Sequence, residues 1–140
     1  MKALCVRQPW ADLLASGSKR FETRSWSTEH RGQLAILASP SRTAADAAIA
    51  RRLEFVQASG GRAFATLPRG AVIGIGLVLS CTRIDELFLR LCVDPEEALL
   101  GDFSLGRFAW EIGFAHRLPS PIPAKGQAHL FDWPAPKGVR

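Results

Sequence analysis

The stretch from Gly70 to Cys81, GAVIGIGLVLSC, runs for 12 residues without a charged side chain and is rich in Val, Ile and Leu. A helix needs roughly 20 such residues to cross a bilayer, so this run, the longest uncharged apolar one in the chain, is too short to span a membrane. It reads instead as a strand over Ala71 to Thr82, buried like those in the middle of a sheet. Gly74 and Gly76 fall inside it, where glycine allows a bend or the close approach of another backbone. Curvature at that point suits a barrel.

A chain of 140 residues is the commonest size for one hydrophobic core, so one domain over 1–140 is expected. With 47% hydrophobic residues, 12 Gly and 9 Pro, the composition is that of a globular protein and not of a disordered or fibrous one. Three cysteines, Cys5, Cys81 and Cys92, at unrelated spacings argue against a disulfide framework and for a reducing compartment. Arg7 arrives before any apolar signal segment develops, which makes the cytoplasm the expected location.

Periodicity supplies the other elements. Residues 2–7 alternate as a strand, and Trp10, Leu13 and Leu14 recur at helical spacing between Pro9 and Gly17, a starter and a stop for a two-turn helix. Lys19 to Trp26 is compatible with a strand showing Arg20, Glu22, Arg24 and Trp26 on one side; Gln33 to Ser39 is a more apolar strand. Thr43 with Asp46 three residues on opens one long helix, with Ala45, Ile49, Leu53 and Val56 as its stripe, ending at Gly60 and Gly61. Asp94, Pro95, Glu96 and Glu97 start a short helix. Trp110, Ile112, Phe114, His116 and Leu118 form the apolar face of a later strand, followed by a proline loop at 119–123 and a terminal strand around His129 to Trp133. Five or six strands with two or three helices, not in strict βαβ order, give an α+β fold on a small mixed barrel.

Several chemistries lack their motifs. His30, His116 and His129 lie far apart and no CxxC or HExxH occurs, so no metal site is expected. There is no P-loop, no GxGxxG at a strand-to-helix turn and no GxSxG. No cofactor is implied. The charge is uneven: residues 1–84 carry twelve basic and five acidic side chains, residues 85–140 six and eight. Arginine dominates, and its fork of donors suits phosphate and stacks on bases, although a solvated surface has the same composition.

The basic residues crowd at the start, where Arg7, Gln8, Pro9, Trp10, Lys19, Glu22, Arg24, Trp26 and Arg31 surround a strand, a helix and a strand. A strand end from which the helix turns away leaves a cleft. Lys19, Glu22 and Arg24 form a cation, anion, cation set that would keep Glu22 ionised and grip a phosphate or carboxylate beside a base stacked on indole. The same residues also read as an exposed ion-pair ladder, with Trp10 and Trp26 in the core. Arg42, Arg51 and Arg52 around the long helix read as solvated.

The string KALCVRQPWADLLASGSKRFETRSW, followed by RGQLAILAS, resembles the ASCH domain family, whose signature is a strand with an RQPW-like end and then GxKxxExR. Gly17, Lys19, Glu22 and Arg24 match it in order. GAVIGIGLVLSC is similar to the family's central strand, and FAWEIGFAHRLPSPIPAKGQ with LFDW to its C-terminal part. The resemblance implies a PUA-like β-barrel with a cleft beside the GxKxxExR segment, and binding of RNA, DNA or modified nucleosides. One branch of the family hydrolyses N4-acetylcytidine with a Lys matching Lys19, a Thr three residues later and a Glu on the central strand. This chain has Glu22 at the second position and no carboxylate between Gly70 and Cys81. It also has Leu37 and Pro40 where relatives often carry His and Lys.

The expectation is therefore binding of nucleic acid, RNA in preference to DNA, or of a modified nucleoside. Arg7, Lys19 and Arg24 would contact phosphate or carbonyl oxygens and Glu22 would orient the basic pair. Gln8 would read a base edge, and Trp10 or Trp26 would supply a stacking face. Two alternatives stand beside it. One is a small amidohydrolase or ribonuclease using Lys19 and Glu22 on N4-acylated cytidine or single-stranded RNA, and the other is a protein-recruitment module with a basic face.

Overall fold

Residues 21–24 pair with the start of a strand that begins at Phe108, and this long-range closure organises one six-stranded sheet. The computed structural model describes all 140 residues. In chain order the elements are β1 (Lys2–Val6), α1 (Trp10–Ser16), β2 (Phe21–Arg24), β3 (Gly32–Ala38), α2 (Ala44–Ala50) and α3 (Leu53–Ser59). A 3-10 turn (Phe64–Thr66), β4 (Ala71–Arg83), α4 (Glu86–Cys92), α5 (Pro95–Ala98), β5 (Phe108–Pro123) and β6 (Leu130–Asp132) follow. The sheet order is β2-β5-β4-β3-β1-β6, with β1 and β3 parallel and the other pairs antiparallel. Three register shifts between β4 and β5 and one between β3 and β4 curl the sheet into a half-barrel, since each bulge adds local bend and twist. It is the α+β fold with a mixed, barrel-like sheet that the sequence implies.

The sheet is buried on both faces, which explains why β4 has no polar alternation. Leu4, Val6, Leu34, Ile36, Val78, Trp110 and Ile112 pack under α1 on one face, while Ala3, Ala35, Leu37, Val72, Ile75, Phe131 and Trp133 cover the other. Gly74 is the contact point for α1: a Cβ there would sit 2.6 Å from the Ala15 Cβ and 2.9 Å from the His116 carbonyl oxygen. Gly17, at φ 82°, ends α1 in the left-handed region as its position suggests.

The structure departs from the sequence reading in four places. The helix after Thr43 is two helices, because Arg52 is extended (φ −63°, ψ 144°). On a straight helix Ile49 and Phe55 would lie about 120° apart at 3.6 residues per turn. The break lets both reach Leu13 and Leu100, and leaves Leu53 of the expected stripe in solvent. Secondly, α4 had no predicted counterpart; it is capped by Asp85, whose Oδ1 accepts from the Phe88 amide at 2.7 Å. With it the helices number five, not two or three. Thirdly, residues 119–123 belong to β5, where only β4 flanks the strand and the other edge tolerates Pro. Finally, Phe114 leaves the apolar face: it sits at φ 52° within the register shift between Gly113 and His116 and is 80% exposed.

Gly74→Ala is expected to push α1 off the sheet and to lower the unfolding free energy by about 1–3 kcal/mol, the usual cost of overpacking. Urea denaturation measures this, and an unchanged midpoint would contradict the close approach described here.

Candidate functional site

Where β1 ends and α1 turns away, a cleft of about 590 Å³ opens. Its walls come from Val6 at the end of β1 and Arg7 after it, Trp10 of α1, Lys19 before β2 and Glu22, Thr23 and Arg24 within it, Ile49 of α2, Arg52 and Phe55 at α3, and Leu99, Gly101, Asp102 and Arg107. Of the residues singled out in the sequence, Arg7, Trp10, Lys19, Glu22 and Arg24 all line it.

Two do not. Gln8 is fully buried behind the cleft, its Nε2 donating to the Pro68 carbonyl at 2.9 Å and its Oε1 accepting from the Asp12 amide at 3.0 Å. With both ends of the amide used by the fold, Gln8 has none left for a base edge. Trp26 packs edge-on against Trp110 and His129, each at 4.8 Å between centroids, away from the lining residues.

Lys19 forms the floor. The chain reaches it through the turn after Gly17, fixed by the Lys19 amide donating to the Leu13 carbonyl at 3.0 Å. Its side chain is 1% exposed, and Nζ donates to Glu97 Oε2 at 3.4 Å. The other Glu97 oxygen accepts from the Arg20 amide at 2.6 Å, so one carboxylate of α5 ties down both the lysine and its neighbour. Burial pushes the Lys19 amine below its ordinary value, against the opposing pull of Glu97 and Glu22. Gly101 passes so close that a Cβ there would lie 2.6 Å from Lys19 Nζ.

Above this floor Glu22 and Arg24 form a tight pair. Arg24 donates to Glu22 Oε2 through Nε at 2.9 Å and Nη2 at 2.8 Å, and Nη2 also reaches the Cys5 carbonyl at 2.9 Å. Arg24 thereby links β2 to β1 across the cleft, and Glu22 Oε1 is left without a hydrogen bond. At the rim Arg7 lies 3.6 Å from buried Asp46 and 5.5 Å from the centre of the Trp10 ring. Trp10 in turn meets Phe55 edge-on at 6.0 Å. Arg107 donates to the Thr23 carbonyl at 3.0 Å and faces Asp102 at 3.5 Å. Five cations and two lining carboxylates thus share one cleft with Trp10, Ile49 and Phe55, an arrangement able to hold an anion against a flat aromatic group.

Sequence reasoning missed Glu97, Arg52, Phe55, Gly101 and Arg107. Glu97 showed only as a charge near a helix start, and its partner is 78 residues away. Arg52, read as solvated, reaches the cleft because of the break before α3. No group of three His, Cys, Asp or Glu side chains is placed to hold a metal ion.

Breaking a buried ion pair by removing one partner typically costs about 3–5 kcal/mol. Glu97→Ala is expected to lose that much in urea denaturation and Arg52→Ala less than about 0.5 kcal/mol, as surface changes do. Equal losses in the two variants would contradict the role given to the pair.

Comparison with known proteins agrees with this geometry. Human Activating signal cointegrator 1 is 61% identical over 36 residues, 26% of this chain and 6% of that protein. Mouse Activating signal cointegrator 1 is 56% identical over 39 residues, 28% of this chain and 7% of that protein. The match therefore spans less than a tenth of either relative. The profile of the ASCH domain covers residues 4–111, from β1 into β5 and including every cleft residue named above, and the chain belongs to the ASCH domain family.

Proposed function

We propose that the cleft binds nucleic acid, single-stranded RNA in preference to DNA, or a modified nucleoside carried in it. The observation that supports this most is the convergence of Arg7, Lys19, Arg24 and Arg52 on a cleft walled by Trp10 and Phe55. Guanidinium groups grip phosphate through paired donors, and base stacking on an aromatic or guanidinium plane is worth about 1–3 kcal/mol. Membership of the ASCH family supports the same reading. Because Arg7 already rests on Trp10, an incoming base meets a combined guanidinium and indole surface. Glu22 Oε1, which Arg24 leaves free by bonding to Oε2, is an acceptor for an exocyclic amino group.

Binding is preferred to hydrolysis because the two candidate catalytic groups are engaged in the fold, Lys19 with Glu97 and Glu22 with Arg24. A setting in the cytoplasm fits the three cysteines, all of them unpaired. No helix is long and apolar enough to cross a membrane.

Fluorescence anisotropy with labelled single-stranded RNA and DNA of equal length tests the reading. RNA is expected to bind at low salt, with log affinity falling linearly against log salt, and Arg7→Ala and Arg24→Ala are each expected to weaken it. No binding at low salt, or equal affinity in the Arg7→Ala, Arg24→Ala double variant, would overturn the proposal. Incubation with N4-acylcytidines and RNA should leave both intact; turnover abolished by Lys19→Ala would favour the hydrolase.

A further inference from the structure

Outside the cleft two arginines meet where the loop before α2 joins the segment between α3 and β4. Arg42 Nη1 donates to the Ala65 carbonyl at 3.2 Å. Arg69 donates to the carbonyls of Ser41, Phe64 and Leu67 at 3.3, 3.0 and 2.9 Å, and its guanidinium carbon lies 4.4 Å from the Phe64 ring centre. The same few backbone residues therefore hold both arginines side by side. Neither is paired with a carboxylate, whereas the cleft arginines Arg7, Arg24 and Arg107 each are. Burial, and then the like charge of Arg42, push the Arg69 guanidinium below its ordinary value. The fold fixes these guanidiniums and supplies no anion to balance them.

The position relative to the cleft is informative. Helix α2 has seven residues, about 10 Å at 1.5 Å per residue. Arg42 precedes the helix, Asp46 in its first turn lies 3.6 Å from Arg7, and Ile49 near its end lines the cleft. A stacked strand advances about 3.4 Å along its axis per nucleotide, so the length of this helix matches the rise of roughly three nucleotides.

We propose that Arg42, backed by Arg69, is a second phosphate-contact surface, met by a single nucleic-acid strand after it leaves the cleft. The ligand is then an oligonucleotide and not an isolated nucleoside. The proposal rests on the nucleic-acid reading of the cleft. A nucleic-acid strand is preferred to an acidic peptide because this surface lies one short helix away from the cleft, within reach of a strand that leaves it.

Anisotropy with a mononucleotide and with RNA of three, six and ten residues, each at several salt concentrations, provides the test. Wild-type affinity is expected to rise from the mononucleotide to the six-residue strand. Arg42→Gln is expected to make the ten-residue salt slope shallower by about one, similarly across sequences, and to leave mononucleotide affinity unchanged. Arg42→Lys should restore most of the slope, and thermal unfolding of both variants should match wild type. Arg24→Ala, by contrast, should weaken every length. A ten-residue salt slope unaltered in Arg42→Gln would overturn this surface while leaving the cleft reading intact. Failure of RNA of every length to bind would overturn both, and tighter binding of a polyglutamate peptide than of the ten-residue RNA would assign the surface to a protein partner instead.

Discussion

The cleft depends on taking the Lys19 ammonium out of water. An isolated buried charge costs several kcal/mol, and only partners fixed in place offset that. Glu97 is that partner, with one oxygen on Lys19 and the other on the Arg20 amide, and Glu22 adds a second negative charge from the adjoining strand. The consequences reach along the chain. Glu97 fixes the short α5 against the start of β2, and the following turn passes close over Lys19 at Gly101, where a Cβ would lie 2.6 Å from Nζ. The segment from Leu99 to Arg107 is thereby brought in as the far wall of the cleft.

The arginines divide by what surrounds them. Arg24 links two strands through Glu22 and the Cys5 carbonyl, and Arg62 and Arg117 both close on Asp12 of α1. Arg62 and Arg117 belong to the scaffold, whereas Arg24 both links the strands and lines the cleft. Arg7 and Arg52 stand at the cleft rim and Arg42 at the end of α2, where solvent or a ligand reaches them. The net charge of +5 does not distinguish the two groups. Only placement does, and a long-range field acts on association more than on fold.

Much of this architecture was legible in local sequence because local physics determines it. Gly17 ends α1, Thr43 caps α2 by accepting from the Asp46 amide at 3.0 Å, and Gly74 gives way to Ala15. The spacing of Lys19, Glu22 and Arg24 marked one side of the cleft for the same reason, being set by a turn and a short strand. What stayed hidden depends on contacts distant in sequence. Nothing near Glu97 indicates that it meets Lys19, and nothing near Gln8 shows that Pro68 and Asp12 consume its amide. Trp26 was ambiguous between core and surface until Trp110 and His129 were found against it. The break at Arg52 is likewise a tertiary choice, made so that Phe55 can join Leu13.

The most direct measurement is the map of amide and arginine side-chain NMR shifts as a six-residue single-stranded RNA is added. The account predicts that the largest changes fall on Arg7, Trp10, Lys19, Glu22, Arg24 and Arg52, around one cleft. Changes centred on α4 or on the exposed Phe114 bulge, with those six residues unmoved, would contradict it.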